Sequence, residues 1–153
     1  MLPHPPPETN AQGYLLSFDK DLLQLENIHG FLTESYWSKA IPKSIVAQAI
    51  EHSMCVGIYH EGQQIAFARL ITDYTTFAYV CDVFVLEQHR GQGLSKWMMK
   101  SIMAHPALLR LRRWMLATAD AHELYSQFGF TPLTKPEMFM QVHRPEVYKD
   151  LPQ

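Results

Sequence analysis

Apolar residues along this chain follow two rhythms. Tyr14–Phe18, Met54–Tyr59, Ile65–Thr72 and Ala78–Leu86 are short, nearly continuous apolar runs bounded by polar or glycine-bearing turns, which predicts strands. Elsewhere the spacing is helical. Leu22, Leu25, Ile28, Phe31 and Leu32 recur along KDLLQLENIHGFL, with Asp19 placed to cap the segment and Gly30 near its end. Pro42 opens a second helix, PKSIVAQAIEHS, because its missing N–H had no partner in a first turn. Leu94, Trp97, Met98 and Ile102 form the inner stripe of a helix from Gly93 to about Ala104, which Pro106 ends.

The connections complete the pattern. Glu61-Gly62 is the tip of a hairpin, and Asp73–Thr76 is a second polar break. Ala78–Leu86, apolar except for Asp82, suits a central strand covered on both faces. Trp114–Thr118 predicts a further strand, Ala121–Phe128 a helix stopped by Gly129, and Phe130 with the MFMQV segment the last β content. The order β, α, α, β, β, β, α, β, α, β predicts an α/β chain: a mixed sheet of about six to seven strands flanked by about four helices, with an antiparallel meander feeding a β-α-β crossover.

Length and composition narrow the function. The 153 residues fit one domain, assigned to residues 13–153, behind a flexible proline-rich N-terminal arm at residues 1–12. The arm has neither the basic start nor the apolar stretch of a secretion signal, and no apolar run reaches the ~20 residues of a membrane span. A cytoplasmic protein is expected. The net charge of −2 argues against a general grip on nucleic acid or an anionic membrane. Cys55 and Cys81 lie in apolar, strand-like runs and read as buried free thiols. The eight histidines are dispersed, with no ligand pair on one helix, so they read as surface residues and no metal is expected.

The candidate chemistry sits in VFVLEQHRGQGLSKWMMKSIM, Val83 to Met103. Gly91 and Gly93 stand one residue apart at the mouth of a helix, where glycine costs stability relative to alanine. Two explanations stand. Amides of a helix's first turn lack intrahelical partners, and glycines let an anion approach them. Alternatively, the strand-to-helix turn itself needs unusual φ angles. The G-x-x-x-x-G-K-[ST] phosphate loop does not fit this spacing, and a dinucleotide fingerprint needs a third glycine where Lys96 stands.

Gln88-His89-Arg90-Gly91-Gln92-Gly93 resembles the Q/R-x-x-G-x-G/A loop of the GNAT superfamily of N-acetyltransferases, and Leu124-Tyr125-Ser126-Gln127-Phe128-Gly129-Phe130 resembles its L-Y-x-x-x-G-F signature. The order of elements fits that family from about Tyr14 to Val142. The resemblance implies a transferase that uses acetyl-CoA. Its pantetheine arm would lie along Val83, Phe84 and Val85. Amides from Arg90 through Gly91, Gln92, Gly93, Leu94 and Ser95 would hold the pyrophosphate, with the thioester between two splayed parallel strands. Tyr125 matches the tyrosine that protonates the departing thiolate, and the alternative is an aromatic that only packs there. Tyr36 and Trp37 fall in the region that shapes the acceptor pocket, or are ordinary rim aromatics. Arg110, Arg112 and Arg113 read as a solvated turn or as neighbours of the cofactor's 3′-phosphate.

An amine acceptor must also lose a proton. Asp82 is the leading candidate base, because a charge in an apolar strand is costly unless used or paired; a hydrogen-bonded structural aspartate at a strand bulge is the other reading. Asp73 and Glu26 are weaker candidates. The sequence departs from the family pattern at Thr118, where an asparagine is common and Asp120 stands nearby, and at Ser95, where glycine or alanine is common. The expectation is direct transfer to a primary amine of a small molecule, since no second domain is present to hold a protein; homodimers are common in the family. The rivals are a CoA-binding sensor without turnover and a plain interaction protein in which the glycines only turn the chain.

Overall fold

A computed structural model describes residues 3–153. Its sheet is a meander that ends in one crossover. Strand β1 (Glu8–Thr9) pairs antiparallel with β2 (Leu15–Ser17), β2 with β3 (Met54–His60), β3 with β4 (Gln63–Thr72) and β4 with β5 (Phe77–Val85). Only β6 (Arg113–Leu116) runs parallel to its neighbour, β5, after the chain has crossed over through α3 (Leu94–Met103). Two helices, α1 (Leu25–Leu32) and α2 (Lys43–Glu51), lie between β2 and β3 in sequence, and α4 (His122–Ser126) follows β6. The expected α/β class and mixed sheet are present, with six strands and four α-helices among the described residues.

Each face of the sheet buries its own core. On one face Met98, Met99 and Ile102 of α3 pack with Leu16, Val56 and Val80. On the other, Ile28 and Leu32 of α1 and Val46 of α2 pack with Cys55, Phe67 and Phe84. Each fully buried aliphatic or Met side chain contributes about 1.5–3 kcal/mol. This sandwiching explains why β3 is buried at nearly every position and β4 from Gln64 to Ala68 and at Leu70.

Strand β5 differs from its expected place as a central, doubly covered strand. It lies next to the edge, and Tyr79, Cys81 and Val83 are only half-buried because their surroundings open into a cleft. The expected helix over residues 20–32 is also interrupted. A 3₁₀ turn, Lys20–Leu22, is capped by Asp19, and α1 starts only after Gln24. Gln24 and buried Gln64 exchange bonds, each side-chain oxygen accepting from the other's backbone N–H (2.8 and 3.0 Å), which pins the chain in extended form between the two turns. A contact forty residues distant has overridden helical periodicity.

The last expected strand does not form. Pro136 starts a 3₁₀ turn that takes in Met138, and the rest of MFMQV pairs with no strand among the described residues. Met140 is 98 % exposed.

Within the N-terminal arm, whose Met1 and Leu2 lie outside the described residues, the chain is tied to the domain. Glu8–Thr9 supplies the edge strand, and Asn10 Oδ1 accepts from the amides of Gln12 and Tyr14 to close the turn into β2. His4 stacks on Phe18 and bonds His105 (3.1 Å). His105 is fully buried, contrary to the surface reading. Its Nδ1 accepts from the Ala107 amide, so Nε2 carries the hydrogen given to His4. Burial first, and His4 second, push the His105 pKa down, which keeps that ring neutral.

Candidate active site

β5 and β6 stay together only from Phe77 to Val80, opposite Arg113 to Leu116. Beyond Val80 they part. The cause lies on the other side of β5, where Phe67 faces Phe84 but Arg69 faces Cys81, so Ala68 alone opposes both Asp82 and Val83. This is a β-bulge, and the extra residue bends its strand. Asp82 sits in it at φ +53°, a left-handed conformation that non-glycine residues seldom adopt. The bulge also switches the alternation: Val80 faces the α3 core before it and Val85 after it. The resulting cleft has a volume of about 620 Å³, with β5 as one wall and the β6–α4 connection as the other.

The β5 wall presents free backbone. Leu86 N–H donates to Ile65 O (2.8 Å), so at Leu86 the peptide groups point toward β4. Strand alternation turns those of Val85 the other way, into the splay. Arg90 Nε donates to Val85 O (2.9 Å), which leaves the Val85 N–H facing the splay, while Val83, one of the two bulge residues, lines the same cleft. The side chain of Phe84 belongs to the opposite core.

At the end of this wall, Gly91 and Gly93 have φ of +78° and +74°. The turn needs glycine at both places on conformational grounds. A Cβ built on either meets nothing within 4 Å, so the backbone is also open. Gly93 is the cap of α3 and offers no side-chain oxygen. Among the described residues, none of the amides from Gly91 through Gln92, Gly93, Leu94 and Ser95 to Lys96 donates a hydrogen bond within the chain. Six unpaired amides at the positive end of a ten-residue helix fit an anionic group such as a pyrophosphate. The conformational explanation for the glycines is observed directly, and the open, unpaired backbone is compatible with the other.

Tyr125 rises from α4 into the opposite wall. Gly129 ends this helix in a left-handed conformation (φ +89°), with Gly129 N–H donating to Ser126 O and Phe130 N–H to Tyr125 O. The Phe130 ring then packs edge-on to Tyr125 at 5.9 Å. The spacing Tyr125–Gly129–Phe130 is therefore a helix stop that fixes the tyrosine. Burial first, then Tyr36 and Asp120, push its pKa up to about 12, so the phenol holds its proton throughout the neutral range. Thr118 Oγ1 accepts from the amides of Asp120 and Ala121 at the start of α4, so its side chain is spent on the turn while the residue lines the cleft.

The remaining end of the cleft is aromatic. Phe84 stacks on Phe31 (4.1 Å), Phe31 packs against Trp37, and Trp37 against Tyr36. Trp37 Nε1 donates to Asp82 Oδ1 (2.9 Å), while Asp82 Oδ2 accepts from Arg69 Nε (2.8 Å) and Arg69 reaches on to Ser53 Oγ (3.0 Å). Burial disfavours the charge on Arg69, but Cys81, Asp82 and the direct bond outweigh it and the guanidinium pKa is raised. Tyr36 is 66 % exposed, and its hydroxyl accepts from the Ala119 amide (3.2 Å), so it bridges the cleft from wall to wall. Asp82 is thus a paired aspartate at a bulge, with both oxygens engaged.

Asp73 and Glu26 do not line the cleft. Asp73 takes three backbone amides and the Thr76 hydroxyl in its own turn, and Glu26 pairs with Lys43 on the surface. Residues the sequence reading did not single out include Phe31, Arg69 and Tyr79. Phe31 reads in sequence as another apolar helix position, and the one signal for Arg69 is its charge within an apolar run. Among the described residues no group of histidine, cysteine or carboxylate side chains is arranged to hold a metal, and no helix is long and apolar enough to cross a membrane.

Comparison with known proteins gives a consistent result. Residues 51–132 match the sequence model of the acetyltransferase (GNAT) domain. A Gibberella zeae protein named as a putative acetyltransferase is 31 % identical over 143 residues, covering 79 % of this chain and 81 % of its own. The crystal structure of a protein from Xanthomonas campestris pv. campestris, described as a putative acetyltransferase of the GNAT family, shares 49 % identity and superimposes with a TM-score of 0.86 over 88 % of this chain and 96 % of that one. A predicted acetyltransferase of Clostridium acetobutylicum, solved with acetyl-CoA, shares the fold at 14 % identity, with a TM-score of 0.60 over 86 % of this chain and 95 % of that one.

Proposed function

This chain belongs to the GNAT family of acetyltransferases, and we propose that it transfers the acetyl group of acetyl-CoA to a primary amine of a small acceptor, with both substrates bound together. The observation that carries the reading is the continuity of one cleft: a loop of unpaired amides at one end, a protonated tyrosine in the middle and an aromatic pocket at the other.

Acetyl-CoA supplies the activated acetyl carbonyl and a thiol leaving group. The amides from Gly91 to Lys96 hold its pyrophosphate, and the backbone of Val83 and Val85 holds its arm in the manner of an added strand. The Val85 N–H is the donor for charge developing on the carbonyl oxygen. Tyr125 gives its proton to the departing sulfur; a pKa of about 12 secures that proton until charge builds beside it. Cys81 lines the cleft, but burial above all pushes its thiol up to about 12, so it is no thiolate nucleophile at neutral pH. Direct attack by the acceptor amine follows. Asp82, with one oxygen on Trp37 and the other on Arg69, fixes Trp37 in the acceptor wall, and the proton of the acceptor ammonium passes to water.

Thiol release from acetyl-CoA with a panel of primary amines tests this, together with calorimetric titration of the cofactor. Tyr125→Phe should lower kcat by about 10²-fold or more, the scale of a lost general acid, with cofactor affinity within about threefold. Retained turnover in that variant would remove Tyr125 from the chemistry. Cofactor binding without turnover of any amine would favour the sensor reading.

A further inference from the structure

The acceptor end of the cleft is selective in its charge as well as its shape. Its walls are Phe31, Trp37, Tyr36 and Tyr79. Two carboxylates join them, and they differ. Asp82 is neutralised by Arg69, which lies behind it and does not line the cleft. Asp120, on the β6–α4 connection beside the Tyr36 bridge, is exposed and forms no salt bridge among the described residues. Its charge is felt inside, since it contributes to the raised pKa of Tyr125. Among the described residues the one cation lining the cleft is Arg90, and its Nε is fixed on Val85 O at the cofactor end.

Resting on the acetyltransferase reading, we infer that the acceptor is a primary amine carried on an aromatic or otherwise apolar body that bears no acid group. The physical reason is asymmetry. An ammonium entering this pocket meets π-faces and the uncompensated Asp120 carboxylate, both of which attract it. A carboxylate or phosphate on the same molecule would face Asp120 with no cation to pair it, and such like-charge juxtaposition is a rejecting element. Asp120 is then a specificity residue at the pocket mouth, distinct from the groups that perform the transfer.

The test compares matched acceptors: tyramine and phenethylamine against tyrosine and phenylalanine, which add only a carboxylate, with glucosamine 6-phosphate as the phosphorylated arm. The expected result is kcat/KM at least about tenfold higher for each amine than for its amino acid. Asp120→Lys should narrow or reverse that ratio, while cofactor affinity by calorimetry, read at the other end of the cleft, stays within about threefold. Equal or better use of the acidic acceptors by the wild-type chain overturns the inference and leaves the acetyltransferase reading standing. An unchanged ratio in Asp120→Lys also overturns it. Absence of transfer to every arm, with cofactor bound, counts against the reading of amine acetylation itself, and the inference falls with it.

Discussion

Replacing Asp82 with asparagine should destabilise this protein far more than its conservative shape suggests. The carboxylate is 9 % exposed and its partner Arg69 17 %, so the pair lies inside the fold at a 2.8 Å contact. Asparagine keeps an oxygen for Trp37 Nε1 but removes the charge that compensates Arg69. Breaking a buried pair from one side typically costs about 3–5 kcal/mol, because the remaining charge stays desolvated. The Ser53 hydroxyl on Arg69 offsets part of that, which places the expectation near 3 kcal/mol, or a fall of about 10 °C in Tm for a domain of this size. The second variant, Arg69→Met with Asp82→Asn, removes both charges and should recover about 2 kcal/mol of the loss. Urea unfolding at pH 7, followed by circular dichroism for the four members of the cycle, measures the coupling directly. Repeating it in 1 M salt separates a buried pair, which is little screened, from a surface one. A coupling below about 0.5 kcal/mol, or one that vanishes in salt, would refute the claim that this pair holds the bulge and its cleft.

Three further outcomes follow from the same reasoning. Gly93→Ala should lose about 1–2 kcal/mol in thermal unfolding, because φ +74° disfavours a side chain even where its Cβ meets nothing; an unchanged Tm would show that the loop relaxes to another conformation. Stability should fall above pH 9: burial raises Cys55 and Cys81 from 9 to about 12, so the folded thiols keep protons that the unfolded chain gives up, at about 1.4 kcal/mol per pH unit for each. Cys55→Ala should make that alkaline slope shallower, and an identical slope in chemical-denaturation curves from pH 9 to 11 would rule its thiol out as a contributor. Tyr59→Phe should raise the unfolding free energy by about 1 kcal/mol, since the Tyr59 hydroxyl is buried without a partner; a loss of stability would mean that it is hydrogen-bonded after all.

The features legible in the sequence are local. The two glycines, the helix that follows them and the Tyr125–Gly129–Phe130 stop all rest on residues within a turn or two of each other, so backbone preference alone specifies them. The short apolar runs of β3 and β4 about the Glu61-Gly62 tip likewise announce a hairpin. Long-range pairing was settled by the folded chain. The Gln24–Gln64 exchange broke a helix that periodicity had continued, and the free edge of β6 left the MFMQV residues unpaired, although their pattern is that of a strand. Asp82 illustrates the division most clearly. A charged residue in an apolar strand could be read as a reactive base or as a structural anchor, and sequence spacing does not separate the two. The separation came from Arg69, thirteen residues away, and Trp37, forty-five away, each brought to one oxygen of the carboxylate by the bulge that also opens the cleft. Charge compensation is a property of three-dimensional neighbours, and one-dimensional patterning does not encode which of them will meet.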